Sequence, residues 1–265
     1  MIKRKGSKST KDIPVVILKQ LNEGLIETAN LVEWLAVDQR LLLENLLASL
    51  NRTIYLEPIL ARINALKKQT VNTINETIGT SLYELAQQHD DAVLVKELSH
   101  HTSDLVRCWA TYFIGRDTSL SIEEKLEKIQ LFAADTHFGV REICWMAVRP
   151  SITKQLLESI TILTLWTQHE NENIRRFATE ATRPRGVWCE HIEELKQNPA
   201  LGLSLLESLR SDKAKYVQNS VANWLNDASK TQPQFVQELC NRWNCESDTK
   251  ETDYIVKRAL RTVEK

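Results

Sequence analysis

The residues best suited to chemistry begin with a basic run that ends on an aromatic side chain. From Asn173 to Trp188 the chain places four arginines beside one glutamate, and a helix there must end near Arg183, since Pro184 disfavours helical geometry before it. Gly186 then allows a tight turn that leaves Trp188 in an exposed loop. Cations at a helix end either complement the helix dipole or clamp a phosphate, and both interpretations stay open. The arginines are Arg175, Arg176, Arg183 and Arg185.

A second polar run, from Ser211 to Asp227, is rich in amides and hydroxyls. Lys213 and Lys215 stand where a helix is predicted to begin, and a helix N-terminus attracts anions. Side chains of these types contact backbone phosphates in protein–DNA complexes, although two lysines alone would be ordinary surface charges. The amides that could join them are Gln218, Asn219 and Asn223.

An internal repeat positions these runs. One short pattern, an apolar anchor followed by polar residues and a helix, returns along the chain with spacings of 34, 34, 43 and 38 residues. Such a period fits one helix pair per repeat, and the chain has only seven glycines and six prolines to interrupt helices. We predict an all-α fold, a HEAT-like repeat solenoid (α-α superhelix), with clear repeats from about residue 100 onward. The anchors are Val106, Val140, Ile174, Val217 and Ile255.

The same register predicts one functional face. Residues one, two, five and six positions after each anchor share a helix face, and the second helix of each pair should line the concave side. This stripe brings Glu142 and Glu180 from adjacent repeats onto that face, with Arg141 and Trp145 beside Glu142. The structural alternative is equally open: the arginine after each anchor can form a ladder bond to an acidic residue of the neighbouring repeat, and tryptophans can be core. The ladder candidates are Arg107, Arg141 and Arg175.

Composition narrows the class of protein without naming a partner. The 34 basic and 35 acidic residues give a net charge of −1, so any nucleic-acid surface must be local. The five cysteines lack the spacing of a zinc site, and we expect reduced thiols and no metal. The sequence contains no apolar stretch of about 18 residues, so no membrane-spanning helix is predicted. We expect a disordered basic arm over residues 1–12 and a single repeat domain over 13–265.

Four stretches between about residues 80 and 245 resemble the AlkC group of bacterial DNA alkylation-repair glycosylases, within the AlkC/AlkD superfamily. The Thr-Arg-Pro-Arg-Gly-Val-Trp run at 182–188 is the most specific part of the resemblance, whereas Val-Arg alone is weak. The four stretches are His137–Glu142, Ile174–Ala178, Glu180–Cys189 and Tyr216–Asp227.

The resemblance implies a solenoid that holds duplex DNA in a basic concavity and hydrolyses the N-glycosidic bond of N3-alkylated bases. The expected bases are 3-methyladenine and, as a further candidate, 3-methylcytosine, with no cofactor and without the deep base flipping of most glycosylases. We expect a monomer in a bacterial cytoplasm that joins the nucleoid when bound to DNA.

The resemblance also suggests roles for the candidate residues. An alkylated base is already a cationic leaving group, so the enzyme mainly has to stabilise an oxocarbenium-like sugar. Glu142 and Glu180 are the candidate catalytic carboxylates, and the rings of Trp188 and Trp145 could pack on the cationic sugar or base. The expected DNA contacts are Arg141, Arg175, Arg176, Arg183, Arg185, Lys213, Lys215, Gln218, Asn219 and Asn223.

Two other functions remain open on the sequence alone. The chain could be a non-catalytic HEAT-like protein that binds bent or branched DNA, which predicts salt-sensitive binding without base release. It could also be a protein-interaction scaffold, which predicts no DNA affinity at low salt.

Overall fold

Several helices begin at a residue whose side chain caps them. In the computed structural model, which describes residues 4–263, Ser121 accepts a bond from the Glu124 amide at 3.2 Å. The Glu124 carboxylate accepts one from the Ser121 amide at 2.8 Å, so the two residues form a capping box. Asn171 caps a later helix by accepting from the Asn173 amide at 2.9 Å.

The part of the chain that the structure describes is all-helical, as predicted, with short 3₁₀ turns between the helices. None of these helices combines the length and the apolar character needed to cross a membrane. The helices are α1 (Val15–Asn22), α2 (Leu31–Ala36), α3 (Gln39–Ser49), α4 (Leu56–Asn64), α5 (Val71–Gln88), α6 (Leu94–Ser99), α7 (Asp104–Arg116), α8 (Ile122–Ala133), α9 (Phe138–Lys154), α10 (Leu156–Trp166), α11 (Glu172–Glu180), α12 (Glu193–Gln197), α13 (Leu203–Leu209), α14 (Lys215–Ala228), α15 (Pro233–Glu246) and α16 (Lys250–Ala259).

The described helices divide into two compact units. Of the described residues, the first unit contains 4–119 together with 136–147, and the second contains 120–135 together with 148–263. In the first unit α5 packs closely against α7, where a Cβ at Gly79 would lie 2.4 Å from the ring of Tyr112. Trp109 of α7 is fully buried and belongs to the core of this unit. The expectation of a single repeat domain stays a prediction.

Residues 4–12 differ from the disordered arm that composition suggested. Both terminal nitrogens of Arg4 donate to the Glu33 carboxylate at 2.6 Å, and the Ser7 amide donates to the same carboxylate at 3.4 Å. A buried carboxylate needs a cationic or hydrogen-bonding partner, and the Glu33 side chain has no exposed surface. The basic segment supplies that partner from 29 residues away, a separation that composition cannot reveal. Residues 1–3 of the expected arm lie outside the described residues.

In the second unit, α14 packs against both α11 and α16. Trp224 of α14 is fully buried and donates its indole N–H to the Thr182 carbonyl at 3.0 Å. This bond fixes the segment that follows α11 against the middle of α14. The end of α11 is therefore part of the core of the second unit, although the chain leaves helical geometry there.

In three copies of the repeat, the side chain that follows the apolar anchor donates to the same two main-chain carbonyls. Arg107 donates to the carbonyls five and six residues before it at 2.9 Å, Arg175 does so at 2.8 Å, and Gln218 does so at 3.4 and 2.7 Å. The two arginines also pair with a carboxylate, Glu27 for Arg107 and Asp212 for Arg175. The ladder bonds that the sequence left open are thus present for both arginines.

Candidate active site

The carboxylate of Glu180, at the end of α11, is the centre of a buried polar network in the second unit. Its side chain is 5% exposed. One oxygen accepts a bond from Arg183 Nη1 at 2.8 Å, and the other accepts from Ser220 Oγ at 2.7 Å. Arg176 Nη2 lies 3.4 Å from that second oxygen. The negative charge is therefore held by two cations and a hydroxyl, away from bulk water.

The network continues from Arg183 to a second carboxylate. Arg183 Nε and Nη2 bind one oxygen of Asp227 at 2.8 and 2.7 Å, and Lys230 Nζ lies 3.1 Å from the other oxygen. Burial alone would lower the pKa of Arg183, but Glu180 and Asp227 outweigh it and raise the pKa. Because this buried guanidinium bridges two carboxylates, the geometry favours the structural interpretation of Arg183 over the phosphate clamp.

The network keeps Glu180 ionised. Burial alone would raise the pKa of its carboxyl, yet the charges of Arg176 and Arg183, with the bonds from Arg183 and Ser220, hold that pKa below its usual value. The group is thus a permanent carboxylate at neutral pH. It can stabilise a developing positive charge, but it cannot serve as a proton donor there.

The chain leaves α11 as a loop that carries the exposed tryptophan. The Ile192 amide donates to the Pro184 carbonyl at 3.1 Å and closes this segment on itself. Trp188 is 76% exposed, as the glycine turn predicted, and its φ of +59° lies in the left-handed region that a bulky residue rarely adopts. A large exposed aromatic ring in strained backbone is a common feature of ligand-binding segments.

Arg149, near the end of α9 in the second unit, binds the main chain of this loop. No sequence pattern pointed to this residue. Its Nη1 donates to the Ala181 carbonyl at 2.7 Å and its Nη2 to the Arg183 carbonyl at 2.6 Å. Its Nε donates to the Glu190 carbonyl at 3.1 Å. Main-chain acceptors leave no trace in residue types, so spacing alone could not have found this residue.

Glu142 and Trp145 belong to the first unit and contact each other. Trp145 is only 2% exposed, and its indole N–H donates to the Glu142 carboxylate at 2.9 Å. The buried ring contradicts the expected packing of Trp145 on a sugar or base, and the contact instead orients a half-buried carboxylate. Arg141 is half-buried beside them. That Glu142 and Glu180 share one groove stays a prediction.

Two of the expected DNA contacts have their polar groups occupied within the fold. Arg175 binds Asp212 through two nitrogens at 2.6 and 3.1 Å, besides its two carbonyl bonds. Gln218 is buried and donates its amide to main-chain carbonyls. Both residues hold the start of their own repeat together, so the geometry favours a structural role over the phosphate contacts that were expected.

The remaining candidates on α14 contact residues of the last repeat, and two of them contact Tyr254, which the predicted site did not include. Lys215 Nζ lies 2.7 Å from the centre of its ring, and its hydroxyl donates to Asn219 Oδ1 at 2.7 Å. Arg261 donates to Asn223 Oδ1 at 3.0 Å. The two asparagines therefore anchor one cation and one aromatic ring of the last repeat, and the available signal for them was the last copy of the repeat pattern, around Ile255.

The other basic candidates differ in how accessible they are. The side chain of Lys213 is exposed, with its Nζ 3.5 Å from Glu251. Arg185 is half-buried in the loop, whereas Arg176 is buried with its guanidinium 4.4 Å above the ring of Tyr216. No group of three or more His, Cys, Asp or Glu side chains within residues 4–263 is arranged to hold a metal ion.

Known proteins share this fold and part of this sequence. Residues 140–261 match the family described as DNA alkylation repair enzyme. The Pseudomonas fluorescens alkylpurine DNA glycosylase AlkC, solved bound to DNA containing an abasic site analog, aligns with 98% of this chain and 66% of its own, at 22% identity and a TM-score of 0.69. The AlkC/AlkD resemblance is confirmed. The HEAT-like class predicted from the repeat is confirmed with it.

Two further proteins resemble this chain over much of its length. AlkD2 from Streptococcus mutans aligns with 77% of the chain and 97% of its own length, at 22% identity and a TM-score of 0.61. The uncharacterized protein YhaZ of Bacillus subtilis is 33% identical over 188 residues, which are 70% of this chain. The chain spans half the length of that curated relative. The family match includes Glu180, the Trp188 loop and α14, so the candidate site lies within it.

Proposed function

We propose that this chain is a DNA glycosylase that releases alkylated bases by hydrolysing their N-glycosidic bond in duplex DNA. The observation that carries the proposal is the buried carboxylate of Glu180, held by Arg183 and Ser220 at the start of a loop that exposes Trp188. The structural neighbour AlkC, an alkylpurine DNA glycosylase bound to DNA containing an abasic site analog, supports the same activity and the same partner.

Release of an alkylated base suits a site that has a fixed negative charge and no general acid. A base alkylated at N3 is cationic, so it departs without first being protonated, and the sugar becomes oxocarbenium-like as the bond breaks. Glu180 would stabilise that sugar electrostatically and help to orient the attacking water. Its contact with Arg176, at 3.4 Å, is the longest in the network and the easiest to exchange for a substrate.

Side chains that are exposed or half-buried would supply the contacts with DNA. The ring of Trp188 would pack on the cationic base or sugar through its face. Lys213, Lys215 and Arg185 would contact phosphates, with weaker binding at higher salt as the consequence. Glu142 remains the second candidate carboxylate, oriented by Trp145. The monomeric state and the preference for 3-methyladenine, then 3-methylcytosine, belong to the proposal as well.

The decisive experiment is a base-release assay on methylated duplex DNA, with free bases identified by mass spectrometry. Release of 3-methyladenine well above the rate without protein supports the proposal, and an unmethylated duplex is the substrate control. Glu142→Gln tests the second carboxylate, with the exposed acid of the same charge at Glu172 as matched control.

A non-catalytic DNA-binding role is the second candidate, because both oxygens of Glu180 are already bonded within the protein. That role predicts salt-sensitive binding to bent or branched DNA with no base released from any substrate. This second outcome would overturn the glycosylase while leaving DNA as the partner.

A further inference from the structure

The loop that carries Trp188 has a strained backbone and needs a support outside itself. Its tryptophan lies in the left-handed region at φ +59°, a conformation that persists only where the surroundings enforce it. The loop's own closing bond, between the Ile192 amide and the Pro184 carbonyl, joins its ends but does not reach Trp188.

Arg149 supplies the support from a position with almost no solvent contact. Its side chain is 3% exposed, and a buried guanidinium must have its N–H groups satisfied by acceptors. It donates to the carbonyls of Ala181 and Arg183 on the entering side of the loop and of Glu190 on the leaving side. The planar guanidinium group of Arg149 therefore connects the two sides of the loop that carries Trp188.

The packing above the guanidinium is equally tight. A Cβ at Gly186 would lie 3.2 Å from the central carbon of Arg149 and 2.3 Å from Cys189 Sγ. The loop thus rests directly on the cation, and glycine is what the close approach requires. Lysine could not reproduce the arrangement, because its donors radiate from one atom whereas the three carbonyls are met by a planar fork.

We propose that Arg149 is a positioning residue that fixes the 181–190 loop and, through it, the ring of Trp188. The effect on base release rests on the proposed glycosylase function, whereas the effect on the loop does not. Arg149 acts only through main-chain carbonyls and would not itself touch DNA.

Hydrogen exchange of the protein without DNA tests the structural half. In Arg149→Met, amide exchange in peptides covering 184–192 should accelerate at least tenfold, while peptides of α14 (Lys215–Ala228) change less than twofold. Arg149→Lys should give an intermediate acceleration. Arg107→Met, which removes an arginine that also binds two carbonyls but lies in the first unit, is the matched control and should leave 184–192 unchanged.

Single-turnover base release tests the functional half. Arg149→Met should slow release roughly tenfold with the affinity for DNA changed less than threefold, and Trp188→Ala should produce a similar loss. If Arg149 acts through the tryptophan, the variant that combines Arg149→Met with Trp188→Ala should release base within twofold of the rate of Trp188→Ala alone. The reason is that the effects of two substitutions that act through the same group do not add.

The outcomes separate the two proposals. Unchanged exchange at 184–192 in both Arg149 variants, or a double variant slower by the product of the single effects, overturns the positioning role. If Arg149→Met unfolds, the same two measurements on Arg149→Lys decide. Faster exchange at 184–192 in the Arg149 variants, together with no base release by the wild-type protein, would confirm that Arg149 supports the loop and would overturn the proposed glycosylase function.

Discussion

Helices α7 and α11 are two copies of one sequence pattern, yet only α11 leads into a candidate site. Both begin with an apolar anchor followed by an arginine that binds two carbonyls and a carboxylate. The residues at the sixth position after the anchor differ in what they contact. Tyr112 of α7 packs against Gly79 in the core, whereas Glu180 of α11 enters a network of charges.

The helices also end differently. α7 runs for 13 residues, and α11 stops after nine, shortly before Pro184 blocks further helical geometry. The repeat thus supplies the scaffold through contacts at the start of each helix. The candidate chemistry occurs where the pattern is interrupted, because an interrupted helix frees backbone for a loop and brings a charged side chain to its end.

The largest effect should come from the position at which the two helices diverge. Glu180→Gln removes the negative charge with little change of shape, and we expect base release to fall roughly 10²–10³-fold, as when one preorganised electrostatic partner is lost. Tyr112→Phe, at the same repeat position in α7, should change the rate less than twofold. Single-turnover kinetics on methylated duplex compare the two. Equal rates for wild type and Glu180→Gln would remove Glu180 from the mechanism.

The next effect concerns the loop that α7 lacks. Trp188→Ala removes an exposed ring, so stability should change by less than about 0.5 kcal/mol, as for other surface substitutions. Base release should fall roughly tenfold, the equivalent of about 1.4 kcal/mol, if the ring packs on a cation in the transition state. Leu165→Ala, an exposed apolar residue on α10, is the control. A Trp188 variant as active as that control would make the strained loop a structural feature only.

The charge network of α11 should also appear in the pH dependence of stability. The pKa of Glu180 is lower in the folded chain than the value of about 4.3 expected when unfolded, so its contribution is complete above that value and is lost as pH falls through the folded pKa. Urea unfolding should show wild type about 3 kcal/mol more stable than Glu180→Gln from pH 8 to 5, the scale of a broken buried pair. The gap should narrow below about pH 4. A gap that stays constant down to pH 3 would contradict the role assigned to the carboxylate.

The sequence predicted what local rules determine. The repeat period predicted the helical-repeat class, and Pro184 with Gly186 predicted the end of α11 and the exposure of Trp188. It could not predict contacts whose partners are main chain or lie far along the chain. Arg149 binds carbonyls 32, 34 and 41 residues away, and the pairing of Arg4 with Glu33 turned an expected arm into part of the fold.

The smallest effect on activity is expected where the two helices are alike. Arg107→Ala and Arg175→Ala each leave two carbonyls and a carboxylate without their donor, so each should destabilise the protein by about 2 kcal/mol. Urea unfolding measures this loss, and base release at a temperature where both variants are folded should stay within twofold of wild type. Arg175 was expected to contact DNA, so the pair also decides between the two interpretations of the arginine after the anchor. If Arg175→Ala weakened DNA binding and Arg107→Ala did not, the arginine of α11 would have a phosphate to hold in addition to its repeat. Matching losses of stability without loss of binding would show that the two helices share one structural device, and that α11 is distinguished by other residues, Arg176 and Glu180 among them.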